Sequence, residues 1–167
     1  MSWARASYRS RQFFGALRVR LEEEERAEVA AHLTPAEQHL FYSMNLRDQR
    51  HALDVFRVLK SGGHRDPSLL AAALLHDVGK GPIRLWHRVA FVLLKAVSPR
   101  LLRRLASGDG PGWRGALARS LDHAERGSAL AEAAGSTAET VRLIRLHRSP
   151  AGDDVALALL QAVDEAS

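Results

Sequence analysis

Six ionisable residues interrupt the apolar faces of this 167-residue chain, each at a position where the surrounding pattern calls for burial. His51 adjoins the face formed by Ala52, Val55, Phe56 and Leu59. His76 and Asp77 close the run "LLAAALLHDVGK", at helical spacing from Leu70, Ala72, Ala73 and Leu74. His123 shares a face with Ala116, Ser120, Gly127 and Leu130. His147 follows Leu143 and Ile144, and Asp164 follows Leu157 and Leu160. Residues three, four and seven apart share one side of a helix, so all six are expected to point toward a core. Buried polar groups cost free energy unless each finds a partner. Six separate partners would satisfy them one by one; a shared cation satisfies them together. Imidazole nitrogens and carboxylate oxygens suit divalent Mn, Fe, Co, Ni or Zn. With no cysteine in the chain, thiolate ligands and disulfides are excluded. An aspartate placed between two ions can be contacted from both sides, which is one reading of why a buried helix should end in His76-Asp77.

The elements that must hold these groups read as helices throughout. Clean period-two alternation is absent and β-branched residues are few. Thr34, Pro35 and Glu37 form a helix start with N-cap, first-turn proline and capping glutamate. A helix from about Leu46 to Lys60 stops at Gly62-Gly63. Asp66-Pro67 begins the next, expected to run to Gly79 and to be central because it is apolar nearly all round. Helices are expected around Leu85–Val97, Pro99–Leu105 and Trp113–Ala134, with a loop at Ser107–Gly112. Ser136 and Glu139 suggest a capping box for a helix ending near Pro150, and Asp153 suggests the cap of the last helix. Residues 1–30 read as an N-terminal basic and acidic helical arm, and residues 31–167 as the body. Gly127, one turn after His123, leaves room for a close approach. His32, His39, His64 and His87 show no buried pattern and are expected at the surface or in loops.

Charge is unevenly spread over a chain of net charge +5. Nine Lys and Arg lie between Val78 and Arg119 against one acid, Asp109. The first twenty residues carry five Arg and no acid, and an acidic block follows at Glu22–Glu25. Such runs are either solvated helix faces or a field for phosphate-bearing substrates, nucleic acid or an anionic membrane surface. The run Val89–Val97 is too short to span a bilayer and is interrupted by Lys95. No secretory signal is visible at the N-terminus, so the expected location is cytoplasmic.

"LLHDVGK" after an apolar helix, with "DQRHALDVFRVL" before it and a late aspartate, resembles the HD-domain superfamily of metal-dependent phosphohydrolases. The resemblance covers about Thr34 to the C-terminus. It implies an HD-domain helical bundle of about six to eight helices around a buried metal site. The family pattern of His, His-Asp and Asp falls on His51, His76, Asp77 and Asp164. Members with two metals add two histidines, for which His123 and His147 stand at suitable places. The glycine one turn after His123 also resembles the family habit. The resemblance therefore implies one or two divalent ions, and favours two that share Asp77. His51, His76 and Asp164 would hold the first, with His123 and His147 on the second. The paired histidine and Gly-Tyr-Pro loop of the cyclic-di-GMP phosphodiesterases are missing, as are the signatures of the guanosine-tetraphosphate hydrolases.

The implied activity is hydrolysis of a phosphate mono- or diester, with a phosphorylated small molecule or nucleotide as substrate and a metal-activated water as nucleophile. Asp77 and Lys80 are the expected catalytic pair, Lys80 as a donor to developing phosphate charge or a plain helix-end lysine. Arg50, Lys80, Arg84 and Arg88 are candidate substrate contacts, and Asp48 could orient His51. The basic stretch around residues 80–113 reads as a lid-like insertion or as extra helices that cover the core. Alternative functions are a di-iron oxygenase on the same ligands, or a non-catalytic HD domain serving as a nucleotide- or metal-binding regulatory module.

Overall fold

The computed structural model describes residues 21–81, 83, 85–106 and 112–167, with the side chains of Leu85 and Arg88 excepted. Most of the expected arm, residue Arg84 and most of the expected loop after Ala106 lie outside the described residues. Among those described there are nine α-helices and no strand. They are α1 (Glu23–Ala30), α2 (Pro35–Ser43), α3 (Leu46–Ser61), α4 (Pro67–Leu75), α5 (Leu85–Val97), α6 (Pro99–Leu105), α7 (Trp113–Ala133), α8 (Ala138–Leu146) and α9 (Val155–Ala166). The all-α bundle is as expected, with eight of the nine helices in the expected body and α1 in the expected arm.

Local chemistry sets the boundaries. Thr34 and Glu37 form the expected capping box at α2, with Glu37 accepting from the Thr34 N–H at 2.8 Å. Asn45 caps α3, and Asp66 caps α4 by accepting the Leu69 N–H at 2.9 Å. Two caps fall one residue from their expected places. Thr137 caps α8, because the Ser136 hydroxyl is taken by Glu37 at 2.6 Å and Glu139 pairs with Arg142. Asp154, not Asp153, caps α9, and Arg142 ties the same carboxylate back to α8.

The centre of the bundle is α4. Every residue from Leu69 to Leu75 is buried, and α2, α3, α8 and α9 pack around it. Ala71, Ala72 and Ala73 keep its girth small enough for close neighbours, while Phe41, Leu53, Phe56, Leu143, Ile144, Leu157 and Leu160 fill the core. Burial of a side chain of that size contributes about 1.5–3 kcal/mol.

α4 ends earlier than its apolar run. Leu75 is its last residue, His76 is the C-cap, and Val78–Lys80 forms a 3-10 turn. That turn packs on α7 at backbone contact. A Cβ on Gly79 would stand 2.0 Å from the His123 carbonyl oxygen and 2.5 Å from the Gly127 nitrogen. Gly81 follows at φ +59° and turns the chain away. Main chain thus meets main chain where His76-Asp77 and His123 must come together.

α1 docks differently. Its Val29 reaches the core, but its other ties to α3 are ionic: Glu25 takes Arg50 and Arg57, and Glu28 takes Arg57 at 2.8 Å and Lys60 at 3.2 Å. No helix of the described residues is long and apolar enough to cross a membrane.

Candidate metal centre

Five helices deliver the six groups singled out by the sequence. His51 comes from the second turn of α3, His76 and Asp77 from the end of α4, His123 from the middle of α7, His147 from the C-cap of α8, and Asp164 from the last turn of α9. Their polar atoms converge. His51 Nε2 lies 2.8 Å from Asp164 Oδ1, and His76 Nε2 lies 3.4 Å from the same oxygen. His76 Nε2 is also 3.6 Å from Asp77 Oδ2, while His123 Nε2 is 3.7 Å from Asp77 Oδ1. His123 and His147 meet Nε2 to Nε2 at 3.1 Å.

These atoms fall into two groups that share one residue. His51, His76 and Asp77 form the first; Asp77, His123 and His147 form the second; within each, the candidate ligand atoms lie within 4.8 Å of one another. Asp164 borders the first group through its contacts to His51 and His76. The two Asp77 oxygens face opposite ways, Oδ2 toward His76 and Oδ1 toward His123.

Backbone carbonyls choose the imidazole tautomers. The Nδ1 atoms of His76, His123 and His147 lie 2.9, 3.0 and 2.7 Å from the carbonyl oxygens of Ala73, Ser120 and Ile144, each three residues earlier. A carbonyl only accepts, so Nδ1 carries the proton and the neutral ring presents a lone pair at Nε2. The same device orients histidine ligands in metal sites generally.

Electrostatics keeps two of these rings neutral. Burial lowers the His123 pKa to about 4, with Lys80 adding to the effect. Burial, then the neighbouring His76, lowers His147 to about 3. His76 behaves oppositely. Its burial works against the charged form, yet the Asp77 and Asp164 carboxylates outweigh it and move its pKa upward. Asp77 and Asp164 are buried too, which alone would raise them. His76, Lys80 and the polar His123 ring around Asp77, and the His51 and His76 rings on Asp164, hold both carboxyls below the usual carboxylate range. The centre is a pair of carboxylates calling for positive charge, ringed by lone pairs.

The residues present fit a divalent cation. His76 Nε2 is buried without a hydrogen-bond partner, its carboxylate neighbours being close enough for attraction but not aligned to accept. At the second group the two Nε2 atoms face each other at 3.1 Å, and with both Nδ1 protons directed to carbonyls the neutral rings leave neither Nε2 a proton to donate. Adjacent ligands each about 2.1 Å from a common ion stand about 3.0–3.5 Å apart. The buried His and Asp groups could therefore hold a metal ion.

The remaining candidates are placed less favourably. Lys80 donates to Asp77 Oδ2, so it belongs to the centre but is already engaged. Arg50 Nη1, an expected substrate contact, pairs with Glu25 of α1. Asp48 accepts from Asn45 at the start of α3. Arg84 and the Arg88 side chain lie outside the described residues. His87, expected at the surface, is buried and packs by its ring on Trp86 with centroids 3.8 Å apart. Sequence reasoning missed Gly79. It stands inside "HDVGK", two residues after Asp77, and the signal for it was the expected close approach at Gly127, which needed a small partner.

No protein-family model, curated protein or solved structure matches this chain.

Proposed function

We propose that the protein is a metal-dependent phosphohydrolase of the HD type, acting on a phosphate mono- or diester such as a nucleotide. The observation that carries this reading is the Asp77 carboxylate, whose two oxygens face two separate histidine groups 3.6 and 3.7 Å away. An aspartate so placed suits a pair of ions, and two-ion centres are a recurrent device of phosphate-ester hydrolysis. His51, His76, Asp77 and Asp164 would hold one ion; Asp77, His123 and His147 would hold the other. Bound divalent ions supply a water ionised near neutral pH and polarise a phosphoryl oxygen.

The chain's own residues do the rest. The Nδ1–H to carbonyl bonds at Ala73, Ser120 and Ile144 fix three imidazoles in the ligating tautomer before any ion arrives. Substrate and water approach from the His51 and Asp164 side, where the side chains keep 26% and 17% of their exposure, because His76 and Asp77 are sealed. Lys80 is seated on Asp77 Oδ2, and it is placed to offer an N–H to the negative charge that grows on phosphorus-bound oxygen. Hydrolysis joins the water oxygen to phosphorus and breaks the ester P–O bond, the alcohol leaving with a proton.

The test uses untagged protein loaded in turn with Mn, Fe, Co, Ni and Zn. Bound metal is counted by elemental analysis, and turnover is followed on aryl phosphate mono- and diesters and on nucleotides. Up to two ions per chain and hydrolysis lost in Asp77→Ala are expected. Metal bound without turnover on any ester would leave a binding module, and substrate-dependent oxygen uptake by the iron form would replace hydrolysis with oxygenation. Failure to retain any ion in wild type would remove the basis of the proposal.

A further inference from the structure

α5 is apolar on two sides. Its inner side carries the buried His87 and the half-buried Phe91 and Leu94, and packs with α6 and α7. Its outer side carries a second stripe. Trp86, Val89, Leu93 and Val97 recur at spacings of three and four, Val92 widens the stripe, and Leu101 of α6 is exposed as well. These are open to solvent: Trp86 keeps 52% of its exposure, Leu93 58% and Val97 83%. Single exposed apolar residues are ordinary, but a continuous stripe of this kind marks a contact surface.

The charges beside the stripe select what touches it. Arg100, Arg103 and Arg104 are all exposed on α6, the helix that follows the stripe and packs on α5, and Lys95 is exposed on the other side of α5. From Lys80 to Ala106 the sequence has seven Lys or Arg and no acid. A second copy of the chain would bring the same positive charge against itself. The first twenty residues, with five Arg and no acid, are repelled in the same way. The occupant must therefore be anionic, and it must also offer apolar depth for valine and leucine. Nucleic acid supplies the charge, but aliphatic side chains gain little from base faces, whereas an anionic bilayer supplies charge at its headgroups and hydrocarbon beneath them. A helix of 13 residues is about 20 Å long, enough to lie in the headgroup plane and too short to cross.

We propose that α5 and α6 form a docking surface for anionic lipid bilayers. The outer stripe of α5 enters the boundary between headgroups and acyl chains, with Trp86 at the interface. Arg100, Arg103 and Arg104 of α6 contact lipid phosphates. This surface is separate from the metal centre and does not depend on the activity proposed for it.

The full chain is mixed with sedimentable vesicles of phosphatidylcholine alone, or of equal parts phosphatidylcholine and phosphatidylglycerol. Binding to the anionic vesicles at least about tenfold above the neutral ones is expected, weakening as salt rises. The tryptophan emission should shift to the blue, and Trp86→Phe should remove most of that shift. Leu93→Glu with Val97→Glu, and separately Arg103→Glu with Arg104→Glu, should each reduce vesicle binding about tenfold or more. All four positions are exposed, so helical content and melting temperature should be retained, which separates lost docking from lost folding. Asp77→Ala should bind vesicles as wild type does. Equal binding to neutral and anionic vesicles, or anionic binding untouched by both variant pairs, overturns the proposal. So does a concentration-dependent dimer that Leu93→Glu abolishes, or oligonucleotide binding that the same substitutions remove while vesicles are ignored.

Discussion

α4 and α5 are both apolar helices, yet they end in opposite surroundings. α4 is enclosed by α2, α3, α8 and α9, and its seven residues Leu69 to Leu75 are all buried. α5 packs mainly on α6 and α7 and leaves Trp86, Leu93 and Val97 open. Composition alone does not separate them; the number of neighbours does. The central helix has alanines at Ala71, Ala72 and Ala73, which admit neighbours on every side, whereas the outer helix has valines and a tryptophan facing nothing described. The consequence for function is a division of labour. The enclosed helix carries His76-Asp77 into a fixed setting, and the outer helix keeps a surface for something else. α1 shows a third mode, with one core valine and a set of ion pairs to α3.

The sharpest test of the enclosed setting is Gly79→Ala. The added methyl would meet the His123 carbonyl and the Gly127 amide, main-chain atoms that cannot swing aside. A loss of about 3 kcal/mol or more is expected from urea unfolding. A wild-type midpoint would show that the turn and α7 can separate without cost. Next in size is a matched pair across the two helices. Leu74→Ala, in a fully buried site, should cost about 3 kcal/mol, while Leu93→Ala should stay within about 0.5 kcal/mol. Equal losses would erase the contrast between α4 and α5.

Metal linkage gives a smaller effect. A divalent ion that binds only the folded chain stabilises it by about 2.7 kcal/mol at a hundredfold excess over its dissociation constant. Thermal melts with and without Mn or Zn should therefore differ, and the difference should vanish in Asp77→Ala. The same rise in the variant would place the ion elsewhere.

The smallest effect concerns α1 and acid. Burial alone would raise the Glu25 pKa, but Arg50 and its other partners lower it below the ordinary value of 4.5. A carboxyl with a depressed folded pKa stabilises the protein fully above its unfolded pKa, and that contribution fades as pH falls through the folded value. Glu25→Gln should thus flatten the loss of stability below about pH 4.5 relative to wild type. Identical acid slopes in the two proteins would mean that the ionic docking of α1 contributes nothing measurable.

Much of the fold was legible because helix ends are written in local chemistry. Thr34 with Glu37, and Asp66 with Pro67, act within one turn and need no distant partner. The caps at Thr137 and Asp154 were displaced by one residue for a long-range reason, since Ser136 is claimed by Glu37 and Asp154 is shared with Arg142. The six converging groups were legible because each breaks an apolar face, a signal that survives without knowing how the helices pack. Arg50 and His87 were not. The pairing of Arg50 with Glu25 depends on where α1 docks, and the burial of His87 on how α5 is rotated. Gly79 was hidden for a related cause: its need for hydrogen in place of a side chain comes from a backbone 44 residues further along, at His123.

The contact between His51 and Asp164 joins residues 113 positions apart. The chain entropy lost in closing so long a loop rises with the logarithm of its length, and contacts of this span form after local ones. The centre is therefore expected to be a late product of folding. An ion clasping its two ends would have little to grip in the transition state and much to grip in the native state. Loading the protein should then leave its refolding rate nearly unchanged and slow its unfolding rate, so that the ion acts as a latch on the finished structure and not as a seed for building it.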